Sequence, residues 1–391
     1  MKIKGVNLGN WLVLEKWMSP ALFDGTEAED EFGLVRQLPR EVYEARIRLH
    51  RSEYISERDF AFIRSIGLNA VRLPIPYYLF GDKPPYMGCL KEIDAAMDWA
   101  EKHELKVLLD MHTVPWGQNG FDNSGICGVC KWSQKPEEVE YVLQNLEKLA
   151  KRYGDREALF GIEIVNEPIT EKTWNAYGGS KHFRYKPEDP LMAEGSAPNT
   201  LSFLENLYKD AYRRLRPLLR DDKYIVFHDG FCLMEWAGIF PREKYKHVML
   251  DTHQYLMAAE MKGCKISLQG YRDYITKEYH AKIRKIQEKT DVFCGEWSLF
   301  NSLAVGMNTC GGRTVFDGMD YAKAGIPTPE EKCEIYRTVG KAQQEAWEAG
   351  CGSFYWNYKL LLDTLNNPEW QGWDCWDLGK SIALGWINIQ E

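Results

Sequence analysis

The sequence predicts an α/β fold, a (β/α)8 TIM barrel in which residues 1–391 form a single domain with extended loops after the strands. Three observations predict it. Short apolar, β-branched runs recur along the chain, and most are unbroken rather than alternating, as in parallel strands covered on both faces. Amphipathic helical stretches separate them, the alternation expected of a barrel or an open parallel sheet. Polar and ionisable residues gather just after the runs, where a barrel carries its functional groups. The competing doubly wound sheet would call for a glycine-rich phosphate turn after the first strand, and this chain has none there.

Taken in order, the first strand is expected at 3–8 (IKGVNL). A helix at 57–66, opening on the N-cap signal Ser56-Glu57, leads to the second strand at 68–73 (LNAVRL). Helix 91–103 precedes the third strand, 106–111 (KVLLDM), and helix 136–153 the fourth, 159–165 (LFGIEIV). Helix 199–219 leads to the fifth strand at 223–228 (KYIVFH), and the sixth follows at 247–252 (HVMLDT). Helix 268–289 runs into the seventh, 291–296 (DVFCGE). Helix 329–350, stopped by Gly350 and Gly352, runs into the eighth, 353–357 (SFYWN). No repeat, low-complexity tract or Pro/Gly/Ser linker divides the chain.

A chain of 391 residues buries enough surface to fold without disulfides or metal ions. Its composition, 45% hydrophobic and 27% charged, is that of a soluble globular protein. A net charge of −8 and the lack of a long basic run argue against nucleic acid and anionic membrane as partners. No stretch approaches the roughly 20 apolar residues that span a bilayer. The opening Met1-Lys2-Ile3-Lys4-Gly5 runs into a strand with no apolar signal region, so a cytoplasmic location and ten reduced cysteines are expected. Cys127 and Cys130 have metal-like spacing, but no second CxxC or HxxxH follows; a free-thiol loop is expected, and neither metal nor cofactor. Fourteen Trp and twenty-one Tyr lean toward carbohydrate, because aromatic faces stack on the C–H faces of sugars, although such rings are equally core material.

The fourth strand ends in Ile164-Val165-Asn166-Glu167-Pro168 and the seventh in Phe293-Cys294-Gly295-Glu296-Trp297. A glutamate after an apolar strand is costly unless it is used or paired. Pro168 steers Glu167 away from helical geometry. Two facing carboxyl groups are the minimum machinery for glycosidic cleavage: one protonated to serve the departing oxygen, one ionised to attack carbon or activate water. Other strand ends offer support. Arg72 could hold a carboxylate ionised; His112 ends the third strand; His253 and Tyr255 end the sixth; Trp356 ends the eighth as a stacking platform. Seven such residues on six strand ends make coincidence a poor account.

These residues, Arg72, His112, Asn166-Glu167-Pro168, His253, Tyr255, Glu296 and Trp356, together resemble the active-site set of glycoside hydrolase family 5, the cellulase-type retaining β-glycosidases. Within it, 5–15 (GVNLGNWLVLE) resembles the opening of the exo-β-1,3-glucanase and β-glucosidase branch, as do the loop 118–125 (QNGFDNSG) and Pro368-Glu369-Trp370. The resemblance implies Glu167 as acid/base and Glu296 as nucleophile. It implies Asn166 on the sugar 2-hydroxyl, Tyr255 and Arg72 tuning Glu296, and His112 and His253 lining the subsite of the cleaved sugar. Glu15 and Asn123 would hold the terminal sugar, with Trp356 stacked beneath it. Asn10 departs from the family by replacing a glycine, Trp116 by replacing a small residue, and the 170–200 segment is a long loop carrying Trp174, Tyr177, Phe183 and Tyr185.

The expected activity is a retaining β-glycosidase, exo-acting on short β-glucans (β-1,3 favoured), oligosaccharides or small β-glucosides, with its carboxyl groups about 5–5.5 Å apart. An endo-β-1,4-glucanase of the same family is the alternative. A non-catalytic carbohydrate-binding protein and a metal-dependent hydrolase are more remote, since both carboxylates are present and the histidines lack HxH or HExxH spacing.

Overall fold

The computed structural model describes residues 2–176, 186–305, 327–364, 366, 370 and 372–389. Eight strands close into a barrel in chain order: β1 (Ile3–Asn7), β2 (Ala70–Ile75), β3 (Lys106–Met111), β4 (Leu159–Glu163), β5 (Tyr224–His228), β6 (Val248–His253), β7 (Asp291–Trp297) and β8 (Gly352–Tyr355). Every neighbouring pair is parallel, including β8 with β1. All eight expected strands are present, their ends displaced by no more than a few residues.

Side chains alternate along a strand, so residues two apart share a face. One residue per strand (Ile3, Ala70, Leu108, Phe160, Val226, Met249, Phe293 and Phe354) joins a single buried apolar cluster. A cluster fed by all eight strands must span the lumen, so it forms a floor. Gly5 makes room for it: a Cβ there would stand 2.3 Å from the Phe354 ring. Two residues further along their strands come Arg72, Asp110, His228 and Asp251, all 0% exposed. Glu163, likewise 0% exposed, reaches the same group from β4, whose pairing with β3 slips between Val107 and Leu108. The lumen thus changes from apolar to ionic within one step along the strands.

The outer helices follow the expected pattern, at Glu57–Ser65, Leu90–Lys102, Pro136–Tyr153, Leu201–Leu215 and Pro329–Trp347. The expected helix at 268–289 is continuous but opens into a wider turn at Ile275–His280. Two helices between β1 and β2, Glu31–Gln37 and Arg40–Tyr54, were not expected from the pattern. The longer one buries Tyr43, Ile47, His50, Arg51 and Tyr54 within a mostly charged sequence, which masks its apolar stripe. The 170–200 segment includes two short helices, Glu171–Ala176 and Pro190–Ala193. Tyr177, Phe183 and Tyr185 lie outside the described residues. No helix among the described residues is long and apolar enough to cross a membrane.

Candidate active site

Glu167 stands just beyond β4, at φ 44°, in the left-handed region. Pro168 bars the right-handed helical conformation, and the chain takes the left-handed turn instead of an extended one. A non-glycine residue held there costs about 1–3 kcal/mol and persists only when its surroundings impose it. Gln118 imposes it in part, its Nε2 donating to the carbonyls of His112 (2.8 Å) and Asn166 (3.0 Å).

Glu296 lies within β7, preceded by Gly295. A Cβ at Gly295 would fall 1.9 Å from Oδ2 of Asp251, whose Oδ1 accepts the Gly295 N–H at 2.6 Å. The β6–β7 register slips between Thr252 and His253, bringing His253 opposite Glu296. Such an irregularity re-aims side chains at a barrel rim.

His253 joins the two glutamates. Its Nδ1 is 2.7 Å from Oε1 of Glu167 and 3.4 Å from Oε2 of Glu296, so those oxygens lie within about 6 Å of one another. Asn123 Nδ2 donates to the other oxygen of Glu167 at 2.6 Å. Tyr255 OH donates to Glu296 Oε2 at 2.7 Å, and Arg72 Nη1 to Glu296 Oε1 at 2.9 Å. Both glutamates retain a little exposure, 5% for Glu167 and 3% for Glu296, whereas the ionic layer beneath them has none.

Arg72 makes four hydrogen bonds and a further ion pair. Nε donates to Glu163 (2.8 Å), Nη1 to Asn7 (3.1 Å) and Glu296, and Nη2 to Asn166 (2.8 Å), while Asp110 stands 3.0 Å from Nη2 as an ion-pair partner. Asn166 accepts through Oδ1, which leaves its Nδ2 buried without a partner. His112 Nδ1 lies 2.6 Å from Asp110, and its buried Nε2 also lacks a partner. The His112 ring stacks on Trp356, 5.7 Å between centroids and 7° between planes. Glu15 Oε2 accepts from Trp17 Nε1 at 2.8 Å, while Oε1 is buried and unpartnered. Unpaired buried polar atoms are costly, and Asn166, His112 and Glu15 each carry one.

The two departures at Asn10 and Trp116 share a backbone cause, since both lie at positive φ (64° and 65°). Glycine adopts that region freely and asparagine tolerates it. Asn10 turns the conformation to use. Its Oδ1 accepts the Glu15 N–H (3.0 Å), its Nδ2 donates to Ser19 (2.6 Å), and its carbonyl contacts His50 Nε2 (2.6 Å). Trp116 is half-buried, with the Lys135 ammonium 4.8 Å from its ring.

Electrostatics follow from these contacts. Burial and the neighbouring Glu167 raise the Glu296 carboxyl, against the pull of His253 and Arg72. Burial also acts on Glu167, but His253 and Asn123 outweigh it and hold Glu167 below the usual range. His253 is raised well above an ordinary imidazole by Glu296, Asp251 and Glu167 despite its burial. The 2.7 Å His253–Glu167 contact thus pairs a raised imidazole with a lowered carboxyl. The three groups titrate as a unit. Burial and Asp122 push Glu15 well up, against its Trp17 bond.

Several supporting residues were not singled out in the sequence: Asn7, Asp110, Gln118, Asn119, Glu163, His228 and Asp251. Asp110 and Asp251 stand two positions before His112 and His253, Asn7, Glu163 and His228 are polar residues inside apolar strands, and Gln118 and Asn119 lie in the loop after β3. Among the described residues, Glu167, His228 and His253, and Glu163, Asp251 and His253, bring potential metal donors within 4.8 Å. Arg72 Nε already stands 3.7 Å from Asp251, where a cation would be needed. All nine described cysteines are free thiols, Cys127 and Cys130 among them. A cavity of about 820 Å³ lined by Ile3, Lys4, Trp297, Arg337 and Trp347 includes none of these site residues.

The family model for cellulase (glycosyl hydrolase family 5) matches residues 41–324, more than half of the chain. The chain belongs to glycosyl hydrolase family 5. As a family 5 glycoside hydrolase it is similar to the probable glucan 1,3-beta-glucosidase A of Emericella nidulans, 33% identical over 96% of this chain and 88% of that protein. It is also similar to the glucan 1,3-beta-glucosidase of Blumeria graminis, 32% identical over 94% and 84%. Among solved structures, the family barrel superposes on AoRut (TM-score 0.74, 20% identical, 100% of this chain and 97% of that one). It likewise superposes on a rutinosidase from Aspergillus niger (TM-score 0.71, 19% identical, 98% and 97%).

Proposed function

We propose that this family 5 enzyme releases terminal glucose from short β-1,3-linked glucans or small β-glucosides, with Glu296 as nucleophile and Glu167 as acid/base. The observation that supports the reading is the bridge through His253, which keeps an oxygen of each carboxyl group within about 6 Å of the other, short of the roughly 6.5–9.5 Å that an activated water would need. Glu296 attacks the anomeric carbon, its charge oriented by Arg72 and Tyr255. Glu167 passes the leaving oxygen the proton it shares with His253. Water deprotonated by Glu167 then attacks the glycosyl-enzyme, and the sugar departs with β configuration. Asn166 Nδ2, buried and without a hydrogen-bond partner among the described residues, is placed to donate to a sugar hydroxyl.

Exo action is supported by Glu15, whose free oxygen and burial favour a bond to hydroxyls of a terminal sugar, and by relatives named glucan 1,3-beta-glucosidases. The endo-β-1,4 alternative would need a groove open on the Glu15 side. Cytoplasmic residence belongs to the same reading, and the nine free thiols suit a reducing compartment.

The test is hydrolysis of aryl β-glucoside and of β-1,3- and β-1,4-linked oligosaccharides, with the first-formed anomer read by NMR. Glucose released singly from β-1,3 chains as the β anomer is expected, and Glu296→Ala should lower turnover by at least about 10³-fold on every substrate. First-formed α-glucose would overturn the mechanism, and internal cleavage of β-1,4 chains would overturn the exo assignment.

A further inference from the structure

Four carboxyl groups surround one guanidinium beneath the site: Glu163, Asp110 and Glu296 within 3.0 Å of Arg72 nitrogens, and Asp251 at 3.7 Å. They are not equally served. Asp110 has Arg72 and His112 Nδ1, both at Oδ2, and its Oδ1 is buried without a partner. Glu296 has Arg72 and Tyr255. Asp251 has the Gly295 N–H, with His253 Nε2 3.4 Å from its other oxygen. Glu163 has the single Nε–H of Arg72 on Oε2, and its Oε1 is buried without a partner. An ionised carboxylate with no access to water and one donor is the worst placed of the four.

Two further unpartnered atoms lie nearby, Asp251 Oδ2 and His253 Nε2. A carboxyl oxygen of Glu163, one of Asp251 and a ring nitrogen of His253 fall within 4.8 Å of one another. An acceptor without a donor, Asp251 Oδ2, thus belongs to a carboxyl group with an oxygen within 4.8 Å of one of Glu163, a group that would become a donor on protonation.

We propose that Glu163 stands as a neutral carboxylic acid in the working enzyme, its O–H turned toward Asp251 Oδ2, and that it is a positioning residue for the acid/base through Asp251 and His253. The chain of contacts runs Glu163, Asp251, His253, Glu167. With Glu163 neutral, Asp251 turns its second oxygen to His253 Nε2 as well, and the imidazole ring is fixed with Nδ1 on Glu167. Burial and the charges of Asp110 and Asp251 act in the same direction, raising the Glu163 carboxyl well above the usual range against the pull of Arg72. The groups facing Glu163 are Arg72 on β2, Asp110 on β3, Asp251 and His253 on β6 and Tyr208 on the helix Leu201–Leu215.

The kinetic arm of the test rests on the glycosidase reading; the spectroscopic arm does not. Infrared difference spectra of wild type against Glu163→Gln at neutral pH should show a protonated-carboxyl C=O band that the variant lacks. Gln is a neutral isostere with donor and acceptor, so Glu163→Gln should keep kcat/KM within about threefold and leave the acid limb of the pH profile in place. Glu163→Leu, which removes both oxygens, should lower kcat more than it raises KM. No band assignable to Glu163 in the wild type overturns the proposal. So does a Glu163→Gln variant that folds but loses more than about tenfold in kcat/KM or moves the acid limb. A band that persists in an enzyme hydrolysing no β-glycoside would leave this proposal standing while the functional reading fell.

Discussion

His253 is the residue on which the site's charge pattern turns. It lies 2.7 Å from Glu167 and 3.4 Å from Glu296, and it lowers each of them. Replacing it by neutral Asn removes that pull, so the Glu296 carboxyl titrates at higher pH. Because Glu296 must be ionised to act as the proposed nucleophile, the acid limb of kcat/KM against pH should move up by about one unit or more in His253→Asn. A limb that stays in place would mean that Arg72 alone sets the charge of Glu296. At this scale the sequence was partly legible. Glu167 and Glu296 stand out because each follows an apolar run, and Arg72 and the histidines because they end strands. Glu163 and Asp251 do not, since each sits inside a strand that reads as apolar and their partners are distant in sequence. Nothing local says that β4 slips against β3 to deliver Glu163.

At the scale of elements, the strands were legible because parallel strands buried on both faces leave an unbroken apolar trace. The helices at Glu31–Gln37 and Arg40–Tyr54 were not, because charged residues hide the buried stripe. Register was the other blind spot: the irregularities in β3–β4, β6–β7 and β7–β8 aim the site residues, and apolar pattern alone cannot reveal a slip. Gly295 marks one of them. Gly295→Ala would drive a methyl group into Asp251, a fully buried carboxylate. The variant should lose about 1–3 kcal/mol in urea denaturation. Its kcat should fall as well, because the residue displaced next is Glu296. Unchanged stability would show that Asp251 is free to move.

Across the whole molecule, the N-terminal segment is tied to the barrel mouth through His50. The ring lies against the Asn10 carbonyl and Tyr54, and burial lowers its pKa to about 4 from the usual 6.5. The unfolded chain takes up the proton near pH 6.5 and the folded chain only near 4. The stability this neutral histidine confers is thus complete above 6.5 and lost as pH falls through that window, by up to about 3 kcal/mol. Unfolding free energies measured between pH 7 and 4 should fall less steeply in His50→Gln than in wild type; equal slopes would place the acid sensitivity elsewhere. The fold class was legible at this scale from alternation alone, but the anchoring of Glu15 through Asn10 was not, since it depends on a left-handed backbone and a helix 40 residues away. The apolar floor given by all eight strands has one more consequence. It turns the barrel into a cup, so arriving glycoside, departing alcohol and incoming water all pass one rim, and the water that completes a turnover must wait for the alcohol to clear the way.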